Sequence, residues 1–419
     1  MSRIRITTLD NGLRVATDPM DSVETVTVGA WVGVGTRNER LDKNGVAHLV
    51  EHMMFKGTTR RSAFAISEQI ENVGGHLNAY TTREHTAYYA KVLVDDVPLA
   101  VDILGDMLQN SLFEDSELTR ERGVVLQEIG QALDTPDDVV FDLFQETAYP
   151  EQALGRPVLG SPETVSVLDR QALFDYLGRY YGGPGIVLAA AGRVDHDQLV
   201  DLVASRFHTL PATAERVPEP ARYRGGDLRE DRELEQLHLV LGFDGVGVHD
   251  PDFYPLSAFS TLFGGGMSSR LFQEVREKRG LVYSIYSFSG TYRDGGMFGI
   301  YAGTGGEEAG ELVPLLCEQL CTVADTVTED EVRRARAQLK AGTLMAQEST
   351  MSRCEQLGQQ LLVFGRPIST KEIVARIEGV DLAAVQRVAR RLLTSVPTVA
   401  ALGPLAHLED YDRITARLA

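Results

Sequence analysis

The chain has 419 residues, 43% of them apolar and 24% charged, a balance that supplies a sizeable core and excludes a mainly disordered, collagen-like or disulfide-stapled protein. Acidic residues outnumber basic ones 60 to 41, a formal net charge of −19, which repels phosphate backbones and anionic lipid and argues against nucleic-acid binding as the main role. No run of about 18 apolar residues is present for a membrane span, and the N-terminus lacks the apolar core of a signal peptide, so a soluble, cytoplasmic protein is expected. Cys317, Cys321 and Cys354 read as free, buried thiols.

In chain order, Met1 to Asp10 alternates like a strand, and Arg5 to Leu9 with Leu13 to Thr17 reads as a hairpin around Asn11-Gly12. A strand over about Thr25 to Val34 precedes a charged loop, Arg37 to Lys43. Helical spacing then runs from Gly45 to Phe55 and from Ser62 to Val73, the second ending at Gly74-Gly75. Strands follow near His76 to Thr82 and His85 to Val94, then helices near Val97 to Gln109 and Glu114 to Leu133.

Thr209 to Glu235 holds three prolines, a Gly225-Gly226 pair and dense charge, which reads as a linker, placed at 211–231. The two sides of it repeat one another. The helix from Leu168 to Tyr181 leads into the strand Gly185 to Gly192, as Val380 to Leu393 leads into Val396 to Gly403, the closing glycines lying 211 positions apart. Val97-Pro98-Leu99 matches Val313-Pro314-Leu315. The expected architecture is α+β: two homologous domains, 1–210 and 232–419, each a mostly antiparallel sheet packed with helices.

The segment carrying chemistry is His48-Leu49-Val50-Glu51-His52. Residues at i and i+4 are neighbours on a helix, so His48 and His52 can offer two imidazoles to one ion, with Glu51 on the same side. Zinc suits imidazole nitrogen and carboxylate oxygen, and a catalytic site keeps one position open. This is the H-x-x-E-H order of the inverted zincins, in which the carboxylate handles the proton of the attacking water. A third ligand is sought in the helix Glu114 to Leu133. There Glu121 and Glu128 lie seven apart, bordering an apolar stripe of Val124, Val125 and Ile129 where an unpaired carboxylate is costly. Local pattern does not rank the two.

The stretch from Gly45 to Thr58 resembles the active-site helix of the pitrilysin/insulinase-type zinc peptidases, in the short-chain bacterial form similar to the mitochondrial processing peptidase β subunit. That resemblance spans nearly the whole chain. It implies Glu128 as third zinc ligand, with one Zn²⁺ per chain, and Glu121 as an auxiliary group orienting the site. It implies that Asn78-Ala79-Tyr80-Thr81 is an edge strand pairing with substrate backbone, a form of β-augmentation. Val275 to Tyr283 resembles the family's arginine/tyrosine motif: Arg276 would bind a substrate carbonyl or carboxylate, and Tyr283 would donate toward the oxyanion.

Aligning Phe55 with Phe263 sets His48, Glu51 and His52 on Leu256, Phe259 and Ser260. Aligning Glu117 with Glu331 sets Glu128 on Gly342, and aligning Gly75 with Gly280 sets Tyr283 on Asn78. The second half therefore lacks the ligands and is expected to grip rather than cut. Gly264-Gly265-Gly266 lacks the lysine and spacing of a phosphate loop, and Gly33-Val34-Gly35 lacks the third glycine of a dinucleotide fingerprint. The resemblance implies a bacterial cytoplasmic zinc endopeptidase acting on unfolded peptides or presequence-like segments. It also implies a clamshell homodimer in which Arg276 and Tyr283 serve the metal site in trans. The alternative is a non-catalytic scaffold or binding subunit of the same family.

Overall fold

The computed structural model describes residues 4–215 and 218–419. The first three residues of the N-terminal strand segment, and Arg216 and Val217 of the linker stretch, lie outside the described residues.

The first sheet contains β1 (Arg5–Thr8), β2 (Arg14–Pro19), β3 (Thr25–Val32), β4 (His76–Thr81), β5 (Thr86–Leu93) and β6 (Ile186–Gly192), in the order β1-β2-β6-β3-β5-β4. Neighbours run antiparallel except β2 with β6. Every residue of β6 is buried, as its sequence Ile-Val-Leu-Ala-Ala-Ala-Gly foretells for a strand covered on both faces. On one face lie helices α1 (Val46–Met54), α2 (Ala63–Glu71), α3 (Val97–Asn110) and α4 (Asp115–Leu133), which set Leu49, Met53, Leu104 and Val125 against Val28 and Tyr88. On the other face the helix Thr350–Phe364 packs Leu357 and Leu361 against Trp31 and Val187. Gly358 is required there, because a Cβ would stand 2.5 Å from the Trp31 indole.

The second sheet contains β7 (Gly226–Asp231), β8 (Leu237–Asp244), β9 (Val282–Thr291), β10 (Gly296–Thr304) and β11 (Thr398–Gly403), in the order β7-β11-β8-β10-β9. Its single parallel pair, β7 with β11, occupies the place of β2 with β6. One face carries the helices Phe253–Gly264, Ala309–Thr326 and Leu382–Leu392. The other carries α5 (Pro136–Ala148), whose Val140 and Phe144 meet Val240 and Ala400. The repeat read from the sequence extends to backbone geometry. Gly192 and Gly403 have φ of 128° and 127°, and a Cβ at either would strike a backbone oxygen, that of Thr25 or Gln236.

The compact units are not continuous in sequence, as 1–210 and 232–419 would be. One unit takes residues up to Gly130, Pro157–Glu219 and Met345–Ser369, and the other takes Gln131–Arg156, Pro220–Leu344 and Thr370–Ala419. Each sheet thus receives one covering helix from the opposite half of the chain. The end of the expected linker is also structured, since 226–231 form β7. An edge strand keeps one side in water and carries charge, and Gly-Asp-Leu-Arg-Glu-Asp therefore has the composition of a linker. The alignment of Tyr283 with Asn78 is corrected by the sheet register. Gly303 faces Ser284 and Thr304 faces Val282, so Tyr283 is the extra residue of a bulge, which tilts a side chain out of the strand's alternation. No helix of the described residues is long and apolar enough to cross a membrane, and the three cysteines are free, with Cys321 only partly buried.

Candidate metal centre

Helix α1 begins at Gly45, whose φ of 95° admits a close approach to the Leu159 carbonyl that a Cβ would block. Its first N–H groups are held by Glu39, a carboxylate only 5% exposed. Glu39 Oε2 accepts from Gly45 N at 2.9 Å, and Oε1 accepts from Ala47 N at 2.7 Å. A negative group suits the positive end of a helix. Val46, Ala47, Leu49, Val50, Met53 and Met54 are buried, and this apolar stripe turns His48, Glu51 and His52 together onto the other side.

Two imidazoles and one carboxylate converge there. The His48 and His52 ring centroids are 4.6 Å apart. Glu128 Oε2, from α4, lies 3.9 Å from His48 Nε2 and 3.6 Å from His52 Nε2, and one ligand atom of each residue falls within 4.8 Å of the others. The Glu128 side chain is 39% exposed, but its Oε2, turned toward the rings, is buried with no hydrogen-bond partner, an oxygen that a cation would satisfy. Burial pushes the His48 imidazole down to about 4, with the neighbouring His52 adding to the fall, so the ring is neutral near pH 7 and its lone pair is free to bind. The donor set, two imidazole nitrogens and a carboxylate oxygen, is one that zinc accepts.

Glu121, 6% exposed, contacts the far side of His52: its Oε2 is 3.1 Å from Nδ1, and Lys56 Nζ lies 2.8 Å from its Oε1. Glu121 and Glu128, which local pattern left unranked, therefore touch different nitrogens of one ring. Val124, expected in the apolar stripe between them, is 39% exposed: one residue short of Val125, it is turned toward solvent. Glu51 receives a hydrogen bond from Thr81 Oγ1 at 2.6 Å. Burial raises the Glu51 pKa, while the Thr81 bond and His52 oppose that rise and Glu128 adds to it.

Thr81 ends β4, the outermost strand of its sheet. Asn78 is exposed and its Oδ1 accepts from Ala79 N at 2.8 Å. Tyr80 faces the opposite side of the sheet, where its hydroxyl donates to Glu355 Oε1 at 2.6 Å. Arg276 and Tyr283 lie in the second unit, the guanidinium 4.8 Å from the Phe272 ring and 5.7 Å from that of Tyr283, and Tyr283 is 74% exposed. In that unit Leu256 and Phe259 are core residues, and Ser260 is hydrogen-bonded to Ser287. Sequence reasoning missed Glu39, the Thr81 hydroxyl and the contact of Lys56 with Glu121. Only Thr81 left a signal, through strand alternation that sets it opposite to Tyr80.

A two-domain α+β chain whose first unit carries an H-x-x-E-H helix and a glutamate from a later helix defines a class, and sequence comparison agrees. Residues 14–162 match the insulinase family (peptidase family M16), and residues 168–339 match the peptidase M16 inactive domain; the chain belongs to this family. It is 40% identical over 412 residues to an uncharacterized zinc protease of Streptomyces coelicolor, covering 96% of this chain and 90% of that one. It is 39% identical over 428 residues to the bovine mitochondrial-processing peptidase subunit beta, covering 99% and 87%. Among solved structures, a protease from Helicobacter pylori shares the fold with a TM-score of 0.89 at 21% identity, covering 96% of this chain and all of that one.

Proposed function

We propose that this chain is a zinc-dependent endopeptidase that hydrolyses unfolded peptides or presequence-like segments. The observation that carries the reading is the buried, unpartnered Glu128 Oε2 beside both Nε2 atoms. His48, His52 and Glu128 would hold one Zn²⁺, and Glu121 would fix the His52 ring through Nδ1. When bound, zinc supplies Lewis acidity, polarising a peptide carbonyl and making water easier to deprotonate. Glu51 accepts the proton of the attacking water and returns it to the leaving amine. An extended peptide adds to the free edge of β4 along Asn78, Ala79, Tyr80 and Thr81, where main-chain hydrogen bonds hold the scissile bond while tolerating varied side chains.

Arg276 and Tyr283 complete the proposal. The guanidinium binds a substrate carbonyl or carboxylate, and the Tyr283 hydroxyl donates to the oxyanion. The exposure of Tyr283 and the aromatic stacking of Arg276 support an outward-facing pair, and we assign the pair to the metal site of a second copy, in a clamshell homodimer that encloses the peptide. The net charge of −19 favours basic peptides; we place the protein in the bacterial cytoplasm, and the bacterial relatives named as zinc proteases support the bacterial protease part of that reading. The alternative, a non-catalytic subunit, is favoured by the name of the bovine relative only so far as that protein is a subunit.

The test is a peptide-library digest with the purified chain. Chelation abolishes cleavage, and Glu51→Gln lowers turnover by about 10²–10⁴-fold with zinc content unchanged. Mixing Glu51→Gln with Arg276→Ala chains restores activity through dimers holding one intact composite site. Cleavage that survives chelation removes the metal reading, and mixed dimers that form but stay inactive remove the trans assignment.

A further inference from the structure

The hydrogen bond from Thr81 Oγ1 to Glu51 Oε2, at 2.6 Å, joins the strand edge offered to a peptide with the carboxylate offered to water. Glu51 makes no other side-chain hydrogen bond among the described residues. This one therefore selects which oxygen is held and which is left free.

The donor is fixed from three directions. Thr81 is β-branched, which limits its χ1, and it pairs with the fully buried Thr86 across the ladder. The turn that follows is closed by Thr82 N donating to His85 O at 2.8 Å, and by Thr82 Oγ1 accepting from His85 N at 3.0 Å. The residue before it, Tyr80, is tied to Glu355 on the opposite face of the sheet. The acceptor is fixed as well, because Glu51 sits on a nine-residue helix whose N-terminus is held by Glu39. A hydroxyl and a carboxylate on two immobilised elements are preorganised, which catalysis rewards. Strand geometry alone does not demand the hydroxyl, since valine has the same shape and a higher strand preference.

We propose that Thr81 is a positioning residue: its hydroxyl holds one oxygen of Glu51 so that the other faces the water, and the strand that docks the peptide thereby also aims the base. This rests on the hydrolytic reading given above. Thr81→Val keeps the shape and removes the donor, and Thr81→Ser keeps the donor. Thr81→Val lowers kcat by about tenfold or more, with KM and zinc affinity by chelator competition unchanged, and Thr81→Ser recovers most of the loss. In zinc-loaded crystals the Glu51 carboxylate takes one orientation in wild type and Thr81→Ser, and turns away or splits in Thr81→Val. The inference is overturned if Thr81→Val retains full kcat and the same Glu51 orientation. It is equally overturned if only KM rises, which leaves Thr81 with peptide docking alone, or if zinc affinity falls in step with kcat, which makes the residue structural. A wild-type chain that binds zinc and cleaves nothing, with or without chelator, removes the hydrolytic reading itself, and the positioning of a base goes with it.

Discussion

The two units build the same five-strand order around the same parallel pair, yet the cluster of His48, His52 and Glu128 lies in one of them. Where α1 turns His48, Glu51 and His52 away from the core, the matching helix Phe253–Gly264 turns Leu256 and Phe259 into it. Where α4 sends Glu128 to both rings, the aligned position is Gly342. One scaffold thus supports either a polar cluster or a continuous core at the same place, and the side-chain pattern of a single helix face decides which. The family profile described as an inactive domain matches residues 168–339, most of which lie in the second unit.

The comparison is tested most severely by exchanging residues between the units. His52→Ser, which copies the second unit, is expected to drop zinc below measurable stoichiometry by elemental analysis. In the other direction Leu256→His, which copies His48 of the first unit, gains no metal and costs about 3 kcal/mol or more, because it puts an imidazole into a site that is 1% exposed and loses a packed leucine. Binding of a second zinc by Leu256→His would show that neither the histidine missing at Ser260 nor the glutamate missing at Gly342 matters.

A smaller effect separates the units by pH. His85, beside Tyr80 and Gln359 in the first unit, is pushed down to about 4 by burial, so its neutral form is the folded form. The unfolded chain, with an ordinary histidine near 6.5, binds the proton more readily below that pH. The stabilisation is therefore complete above about pH 6.5, falls as the pH drops toward 4, and amounts to on the order of 3 kcal/mol. Trp31 is the sole tryptophan and is buried in the first unit, so its fluorescence in urea titrations reports that unit alone. His85→Gln should weaken the dependence of its midpoint over this range, leaving the part due to His48, which burial also pushes down to about 4.

The smallest effect compares the covering helices. A Cβ at Gly358 would stand 2.5 Å from Trp31 and one at Gly242 would stand 2.5 Å from Phe144. Each Gly→Ala change is expected to cost about 1–3 kcal/mol through overpacking. Gly358→Ala should cost less, because alanine recovers about 1 kcal/mol of helix preference. Equal denaturation midpoints for Gly358→Ala and wild type would mean that the helix Thr350–Phe364 does not pack tightly on Trp31.

Much of this was legible in the sequence because it is local. The histidine pair needs only helical spacing, and the repeat needs only matched turns, down to Gly192 and Gly403. The rest depends on distance in space. Nothing local in α5 or in Thr350–Phe364 says which sheet each covers, so the sequence reads as two continuous units. Glu121 and Glu128 share one helix side, and only the placement of α4 beside α1 sends them to different nitrogens of His52. Charged β7 has the composition of a loop until β11 is set beside it.

The exchange of covering helices bears on how the protein is made. During synthesis the first sheet has its own strands complete once β6 emerges, yet Trp31 and its neighbours have no cover until Thr350–Phe364 leaves the ribosome. At about 5–20 residues per second, the interval of roughly 160 residues lasts between about 8 and 32 seconds. An apolar sheet left bare for that long is a target for chaperone capture, and the nascent chain should be held by one until Thr350–Phe364 has emerged.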